Sequence, residues 1–555
     1  MSLWRRLLPV FLGVAVFVLM TGGNMLAPGN VSWLQHQDLA QSYLGWAFYR
    51  HGPWGWPLGA HPSYGLEFHS SVFYSDSIPL MAMALKPFSP WLPEPFQYFG
   101  LWVLMCFVLQ AVFAWRLLSL ATPGAVARTL GCVFFLLAPP LLFRLGGHMA
   151  LFAHWPILAA LLLYLEPLPR RQDVAWTCLV AASMVIHAYI FVMVAAVWAA
   201  DLLRRAWTVR DDRSVAAWLP LMQEVAQVVA VTVAVAWLAG FFMVPGGGMG
   251  ASGFGFYKMN LLAPVNGGGW SWFGLQTPQA LGEYEGFNYL GVGAVLLCLA
   301  AAAAQLAGAL KKNDSGLTVW PLLLAALGLT LLALTPHLGI GAWQGTLPLP
   351  GALERKLSHS SIQSTGRLFW VAYYALLVWA FFALARALPS RAFITVLVVL
   401  VSLQLLDLGP GLVRWRQQIV QRTQADEASA LRGPFWDAAG ERYKRLRLVP
   451  TRVLAPNWEV LARYALKHRM PTDAVQVARA NWKVFNRVHD EQLKRLAEGR
   501  PEEDTLYVLD ADSVEVATRA ARAQDAVFQL DGWTVLAPGW GVDVPAEAMD
   551  LKSGL

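Results

Sequence analysis

The stretch that decides the fold is "LLPVFLGVAVFVLM", residues 7–20, and the polar stretch "WLQHQDLAQSYLGWAFYRHGPW", residues 33–54, follows closely behind it. The first stretch is apolar enough to enter a bilayer as a helix, and it comes directly after Arg5 and Arg6. This segment is similar to a secretory signal peptide, but no small-residue cleavage site follows it and more apolar runs come after it. The sequence therefore predicts an uncleaved first membrane span with its N-terminus in the cytoplasm.

Composition extends this prediction to the whole chain. Of the 555 residues, 57% are hydrophobic and 14% are charged, and the mean hydropathy is +0.45, which excludes an ordinary soluble enzyme. The apolar runs are roughly 16 to 24 residues long, which fits helices across a hydrocarbon core and not the strands of a barrel. The four cysteines lie in apolar runs and indicate no disulfide or metal cluster. The predicted fold class is an α-helical polytopic membrane protein.

About eleven spans are predicted, and the last of them ends near residue 408. They cover residues 7–23, 97–118, 127–143, 150–166, 174–188, 188–203, 217–243, 288–309, 317–335, 368–386 and 391–408. Basic residues then cluster in short loops on the side of Arg5 and Arg6, namely Arg170, Arg171, Arg204, Arg205, Arg210, Arg213, Lys311, Lys312, Arg386 and Arg391. This arrangement explains the net charge of +7 without nucleic acid. It depends on two short spans meeting in a turn near His187.

This orientation places three long loops outside the cytoplasm, at about 24–96, 244–287 and 336–367, and it also places residues 409–555 outside. The tail is far more charged, and "RYKRLRLVP", "DTLYVLD" and "DAVFQLDGWTVLAP" are typical of strands, with helical segments between them. We expect a transmembrane domain over residues 1–408 and a small α/β domain over residues 409–555, in a bacterial cytoplasmic membrane.

Asp38 is an isolated acid directly after the first span. It could be a solvated acid at the start of a helix on the membrane surface, or a general base whose environment of aromatic residues tunes its basicity. Asp76, in "FYSDSIPLMAMALKPF", is the second acid of interest, and its simpler interpretation is the N-cap of a short helix.

Several segments resemble an uncharacterised family of bacterial membrane proteins, the DUF6311 type, within the GT-C superfamily of membrane glycosyltransferases. They are "HQDLAQSYLGWAFYR", "FYSDSIPLMAMALKPF", "FQYFGLW", "GGHMALFAHW", "EYEGFNYLGVG", "STGRLFWVAYY" and "LQLLD". The resemblance implies transfer of a sugar from a polyprenyl-phosphate-linked donor to a glycan, lipid or protein outside the cytoplasm. A direct displacement at the anomeric carbon would proceed with inversion. The resemblance also implies that Asp38 is the catalytic base, with Asp76 as the second catalytic candidate.

The phosphate of such a donor requires cations outside the membrane. Arg367 opens a predicted span beside hydroxyl residues, and Arg144 lies in a short outer turn with His148. Lys258 lies in a glycine-rich loop that we interpret as a mobile flap, and Tyr284 lies near the next span. The remaining predicted substrate-binding residues, His36, Glu67 and Lys86, lie in the first outer loop.

No further cofactor is predicted beside the lipid-linked donor. Asp38, Glu67 and Asp76 are widely spaced, and the first outer loop has no adjacent pair of acids, so a divalent metal has no support, although distant carboxylates can share one. Two other functions stay open: a flippase or transporter of lipid-linked glycans, and a polymerase or ligase of surface polysaccharide. A transporter would carry charges deep in its spans, where Glu224 and Asp407 are the candidates.

Overall fold

A computed structural model describes residues 3–68, 70–168, 170–244, 253–308, 318–358, 362–425, 431, 433–452, 455–478, 481–541 and 544–552. Lys311, Lys312 and the first part of the glycine-rich loop, 245–252, lie outside the described residues. The described helices are α1 (Leu3–Thr21), α2 (Gln37–His51), α3 (Pro79–Leu85), α4 (Phe99–Ser119), α5 (Ala125–Leu136), α6 (Pro139–Phe143), α7 (Trp155–Leu165), α8 (Gln172–Ile186), α9 (Ala188–Val209), α10 (Val215–Leu238), α11 (Val292–Leu306), α12 (Trp320–Leu334), α13 (Gly351–Ser358), α14 (Trp370–Ala387), α15 (Ser390–Gln424), α16 (Pro434–Arg442), α17 (Trp458–Lys467), α18 (Trp482–Ala497) and α19 (Ala511–Ala520).

The described strands are fewer and shorter. They are β1 (His337–Ile340), β2 (Trp343–Thr346), β3 (Arg445–Val449), β4 (Thr505–Leu509), β5 (Ala526–Leu530), β6 (Trp533–Ala537) and β7 (Met549–Asp550). The chain forms two compact units. Unit 1 holds Met1–Asn30, Tyr98–Val235 and Gly250–Gln424, and unit 2 holds Val31–Gln97, Ala236–Met249 and Ala425–Leu555.

Unit 1 consists mainly of apolar helices. In the described part of the chain, four helical segments are long and apolar enough to cross a membrane: Phe99–Ser119, Val215–Leu238, Thr365–Ala387 and Ser390–Gln424. The pair formed by α5 and α6, bent by 44° at a break, makes a fifth if it is one span. The protein is therefore a multi-pass membrane protein. Ten of the eleven predicted spans each correspond to one α-helix, and the span predicted at 127–143 corresponds to α5 and α6 together. The predicted number of crossings is not confirmed by this count.

The break between α8 and α9 lies at His187, where the sequence predicts a turn. His187 has an extended backbone, and its Nδ1 accepts a hydrogen bond of 3.1 Å from the Tyr189 backbone amide, which caps α9. The last helix of unit 1, α15, was expected to end near 408 and continues to Gln424. Asp407 is buried within it and accepts from the Tyr289 hydroxyl (2.6 Å) and the Val292 amide (3.0 Å), so it anchors the start of α11.

Charged residues in the second half of α9 and the first half of α10 neutralise one another. Asp201 is buried and accepts from Trp176 Nε1 at 2.9 Å, and it pairs with Arg204. Glu224, which the sequence left as a charge within a span, accepts from both terminal nitrogens of Arg205 at 2.7 and 2.6 Å. These contacts give Glu224 a structural role in the pairing of α9 with α10.

Unit 2 contains a five-stranded sheet in the order β3-β4-β6-β5-β7. The β3–β4 pair is parallel, with Val449 opposite Leu509, and the other pairs are antiparallel. The β5–β6 hairpin turns at Asp531 and Gly532, which both have positive φ, as the Asp-Gly sequence predicts. One side of the sheet packs on α18 and α19 through a core of Val449, Leu496, Tyr507, Leu509, Ala517, Val527 and Leu536. The strands and helices predicted in the tail are confirmed.

Residues 31–97, which include most of the first predicted outer loop, belong to the same unit as this sheet. The segment 63–65 pairs with Thr472: the Thr472 amide donates to Ser63 O at 3.0 Å, and the Gly65 amide donates to Thr472 O at 2.8 Å. Thr472 in turn pairs with Leu446 of β3. The residues around Thr472 therefore lie between the first loop and the edge of the sheet.

Candidate functional site

Two arginines and one histidine of unit 1 converge on one carboxylate, Glu285. Arg144 begins a 3₁₀ turn after α6, Arg367 lies in the 3₁₀ turn Thr365–Phe369 before α14, and Glu285 lies in the turn Glu283–Gly286 before α11. Arg144 Nη1 donates to Glu285 Oε2 at 2.7 Å, and Arg367 Nε donates to the same oxygen at 2.8 Å. His148 Nε2 lies 3.7 Å from Glu285 Oε1. The structure thus brings together Arg144, His148 and Arg367, three residues that the sequence selected separately.

The charges of this cluster do not cancel. The side chains of Arg144, Arg367 and Glu285 are 2%, 6% and 7% exposed, so two buried guanidinium groups share one buried carboxylate. Burial raises the pKa of Glu285, but the charges of Arg367 and Arg144 outweigh it and hold that pKa well below its usual range. Glu285 is therefore ionised, and the cluster keeps one excess positive charge, before any charge on His148 is counted.

Polar atoms remain available around these arginines. Arg144 Nε, Thr365 Oγ1 and Trp370 Nε1 are buried without a hydrogen-bond partner among the described residues. The Arg144 guanidinium carbon lies 5.4 Å from the centre of the Trp370 ring. Buried donors usually have partners, so orphaned donors next to an excess positive charge are typical of an anion-binding site.

Close backbone packing fixes the cluster. Asn288 Nδ2 donates to Gly286 O at 3.0 Å and to Gly366 O at 2.9 Å, which ties the turn of Glu285 to the turn of Arg367. A Cβ on Gly366 would lie 2.6 Å from Gly286 Cα, and a Cβ on Gly286 would clash with Lys258 O. Both positions require glycine because backbone atoms approach there.

Lys258 belongs to a second charged cluster in unit 1. Its Nζ donates to Gln344 Oε1 at 2.6 Å and lies 3.8 Å from Glu283 Oε1, and both Lys258 and Glu283 are buried. Burial lowers the pKa of Lys258, although the charge of Glu283 opposes this. The described part of the glycine-rich loop is thus held against β2 at Lys258. Tyr284 is 52% exposed, and its ring makes an edge contact with Tyr257.

Asp38 lies in the first turn of α2, in unit 2, and is partly exposed. Its Oδ1 accepts a hydrogen bond of 3.1 Å from Gln476 Nε2, and its backbone carbonyl accepts from Ser42 Oγ at 3.0 Å. The positive end of the helix favours a carboxylate at this position. His36 precedes the helix, is 72% exposed, and has Nδ1 3.6 Å from Glu459 Oε1.

Asp76 lies in a segment that packs on the same helix. Gln41 Nε2 donates to Tyr74 O at 3.2 Å, and Ser77 Oγ donates to Ser42 O at 2.9 Å. These contacts bring residues 74–77 to α2 about one turn beyond Asp38. The N-cap interpretation of Asp76 was wrong, because α3 begins at Pro79 and its cap position is Ile78. Asp76 and Ile78 have φ of 53° and 49°, which is a strained conformation for side chains of their type.

Glu67 and Lys86 have protein partners in unit 2. Glu67 forms a two-oxygen ion pair with Arg447 of β3. Lys86 is turned inward: its Nζ donates to Pro53 O at 3.1 Å and lies 3.9 Å from the centre of the Tyr49 ring. Burial lowers the pKa of Lys86 to about 8. These contacts give both residues a role in holding the first loop together.

Sequence reasoning missed Gln476, and it did not find the role of Glu285. Glu285 was visible in "EYEGFNY", but nothing in the sequence identified it as the partner of Arg144 and Arg367. Gln476 gave no signal, since an isolated glutamine in a tail has no characteristic spacing. For a metal, no group of three His, Cys, Asp or Glu side chains within the described ranges is placed to bind an ion.

The fold and the clusters define a multi-pass membrane protein with a buried cationic site in one unit and a partly exposed acid in the other. The sequence matches the family described as "Domain of unknown function (DUF6311)" over residues 10–409, and the DUF6311 C-terminal domain over residues 435–538. The chain belongs to the DUF6311 family, so this part of the predicted resemblance is confirmed.

Other comparisons are sparse. Among curated proteins, none matches this sequence. A solved structure of the archaeal oligosaccharyltransferase AglB from Archaeoglobus fulgidus, in complex with an inhibitory peptide and a dolichol-phosphate, resembles the chain with a TM-score of 0.40 and 11% sequence identity. The match covers 99% of this chain and 76% of AglB.

Proposed function

We propose that the protein transfers a sugar from a polyprenyl-phosphate-linked donor to an acceptor outside the cytoplasm. The observation that carries the proposal is the pair Arg144 and Arg367, which share the single carboxylate of Glu285. A buried excess of positive charge is costly unless an anion neutralises it at some stage of the functional cycle. Guanidinium groups with nearby hydroxyl and indole donors suit a phosphate.

The position of Arg367 favours a lipid phosphate over a soluble one. Arg367 lies in the first turn of the candidate span Thr365–Ala387, where a span reaches the membrane surface. The phosphate of a polyprenyl carrier lies at the same depth, because its chain occupies the hydrocarbon core. His148, beside the same carboxylate, adds a donor that can be positively charged.

Asp38 is proposed as the catalytic base. It takes the proton of an acceptor hydroxyl while that oxygen forms a bond to the anomeric carbon of the sugar. The bond from that carbon to the phosphate oxygen breaks, and its electron pair leaves with the phosphate, which the arginines stabilise. One displacement of this kind inverts the anomeric centre. Asp76 is proposed as the second catalytic acid.

The surroundings follow from the proposed orientation. About eleven spans would place the N-terminus in the cytoplasm of a bacterium and the long loops, with residues 409–555, outside the cytoplasmic membrane. The acceptor would then be a surface glycan, a lipid or a protein. His36, Lys258 and Tyr284 stay predicted substrate-binding residues.

The proposal is tested by replacing Asp38 with Asn and Arg367 with Lys in cells. We expect both variants to accumulate the lipid-linked sugar and to lose one surface glycan, measured by mass spectrometry. Asp512→Asn is a matched control, because Asp512 also lies in the first turn of a helix and is 83% exposed. Full transfer by Asp38→Asn would refute the assignment of the base. Accumulation of donor in the cytoplasmic leaflet alone would favour the flippase alternative.

A further inference from the structure

We propose that Gln476 is a positioning residue for Asp38, so that the C-terminal part of the chain completes the catalytic site. The inference rests on the proposed function, in which Asp38 is the base. Its starting point is the hydrogen bond of 3.1 Å from Gln476 Nε2 to Asp38 Oδ1, between residues 438 positions apart in the sequence. The C-terminal domain then acts in the chemistry, beyond binding an acceptor.

A primary amide suits the task because it has a donor and an acceptor. Nε2 donates to Asp38 while the carboxylate is ionised. Gln476 Oε1 is buried and has no hydrogen-bond partner among the described residues. After Asp38 has taken up a proton, a turn of the amide can present Oε1 to the new O–H group. The same side chain can therefore hold Asp38 both before and after proton transfer.

The backbone around Gln476 is fixed to the first outer loop on both sides. Before it, Thr472 exchanges two hydrogen bonds with Ser63 and Gly65, at 3.0 and 2.8 Å. After it, the Ala478 amide donates to Tyr74 O at 2.7 Å. At the residue itself, Tyr64 OH donates to Gln476 O at 3.3 Å. The segment 472–478 therefore runs along residues 63–74, and these contacts fix the position of Gln476 relative to α2.

The start of this segment is also hydrogen-bonded to the sheet. The Leu446 amide donates to Pro471 O at 3.1 Å, and Asp473 Oδ1 accepts from the Leu448 amide at 2.8 Å. Both donors belong to β3. The position of Gln476 is therefore set by the fold of the C-terminal domain, and not by Gln476 alone.

Such fixation matters for a base. The carboxyl torsion of an aspartate is broad, so an unsupported side chain samples many orientations. A fixed donor on Oδ1 restricts the carboxylate plane, and a base must be aimed at its proton within hydrogen-bond reach. We expect loss of the amide to lower kcat about tenfold with little change in KM, because Gln476 contacts the base and is not among the proposed substrate-binding residues.

The test measures Asp38 directly as well as turnover. Purified full-length protein in lipid nanodiscs is treated with a carbodiimide and an amine across a pH series. The reagent modifies protonated carboxyl groups, and mass spectrometry reads the peptide that contains Asp38. In Gln476→Ala, the ionised carboxylate loses a hydrogen-bond donor, so half-maximal labelling should move to higher pH than in the wild type. Gln476→Glu should move it at least as far, because a like charge then faces Asp38.

Tyr64→Phe is the matched control. It removes the hydrogen bond to the backbone of Gln476 but keeps the ring and the Asp38 contact, so its labelling curve should follow the wild type. An unshifted curve in both Gln476 variants would overturn the proposal, as would an equal shift in Tyr64→Phe. If Gln476→Ala does not fold, the labelling curve of the nearly isosteric Gln476→Glu tests the proposal in its place. Full transfer by Asp38→Asn would refute the proposed function, and the labelling curves would still decide whether Gln476 positions the carboxylate.

Discussion

Arg447 donates to both carboxylate oxygens of Glu67, with Nη1 3.1 Å from Oε2, and so joins β3 to the first outer loop across 380 positions of sequence. The Arg447 side chain is 3% exposed, whereas Glu67 is 42% exposed. Burial raises the pKa of Glu67, but the hydrogen bond and charge of Arg447 outweigh it and leave the pKa below its ordinary value. The ion pair therefore connects two parts of unit 2 that are far apart in the sequence.

Glu67→Gln should weaken the interaction with Arg447. Arg447 would keep Asp473, whose Oδ2 lies 3.6 Å away, and we expect a loss of about 1 to 2 kcal/mol in the free energy of unfolding, reduced by the solvent around Glu67. Thermal unfolding and limited proteolysis of the purified protein measure it. Asp437→Asn, which breaks an ion pair with Lys467 in which both side chains are 65% exposed, is the control and should change stability by under about 0.5 kcal/mol. Equal effects would contradict a special role for Arg447.

Asp473 should make this unit more stable in acid. Burial raises the pKa of Asp473 to about 7 from an ordinary 3.8, while Arg447 and the Leu448 amide act in the opposite direction and Glu67 adds to the rise. Between about pH 4 and 7 the unfolded chain loses this proton and the folded chain keeps it. The free energy of unfolding should therefore fall as pH rises, by at most roughly 4 kcal/mol.

Thermal unfolding from pH 4.5 to 8 checks this slope. Asp473→Asn should flatten it, because asparagine does not titrate, whereas Glu67→Gln should leave it largely in place. Above pH 4.5 the contribution of Glu67 itself is nearly constant, since its folded pKa lies below the ordinary value. A wild-type slope that survives in Asp473→Asn would assign the titration to another group.

The sequence could predict the elements because their signals are local. Long apolar runs predicted helices, and short apolar runs in the tail predicted the strands β3 to β6. The association of the first loop with the tail was not predictable, because it depends on contacts such as Glu67 with Arg447 that have no spacing signature. Helix α15 extends beyond its apolar run because helical conformation does not stop where hydropathy falls.

The site was predicted in part for the same reason. Arg144 and Arg367 were selected because cations outside a membrane are scarce, and His148 was selected because it lies in the same short turn as Arg144, so each choice depended on local sequence. Their common partner Glu285 follows only from the packing of three separate turns. Asp38 was recognisable as an isolated acid, while its neighbour Gln476 required the folded tail.

Gly366→Ala should disrupt the cationic cluster. Its Cβ would lie 2.6 Å from Gly286 Cα and 2.9 Å from the Lys258 carbonyl carbon, and backbone atoms cannot move aside without shifting Arg367. We expect a loss of about 1 to 3 kcal/mol in stability together with loss of transfer. Gly328→Ala in α12, where nothing lies within 4 Å of the new Cβ, is the control and should be neutral or stabilising. Thermal unfolding and the cellular glycan assay compare the two, and a harmless Gly366→Ala would argue against the packing described.

The excess charge around Glu285 predicts how the protein responds to an added anion. Glu285→Gln removes the carboxylate that the buried Arg144 and Arg367 share, which should cost about 3 to 5 kcal/mol. A polyprenyl phosphate can replace the lost carboxylate, so it should raise the melting temperature of Glu285→Gln more than that of the wild type. The matching polyprenol, which has the chain but no charge, should not.

Glu283→Gln is the matched control for this measurement. It removes the carboxylate beside Lys258 in the same turn and leaves Glu285 in place. Because Arg144 and Arg367 keep their counter-ion, polyprenyl phosphate should stabilise Glu283→Gln no more than the wild type. An equal gain in both variants would place the phosphate away from the arginine pair. A larger rise in melting temperature for Glu285→Gln than for both Glu283→Gln and the wild type would show that phosphate and carboxylate compete for the same guanidinium groups. The anion would then be bound where the proposed donor phosphate leaves the sugar.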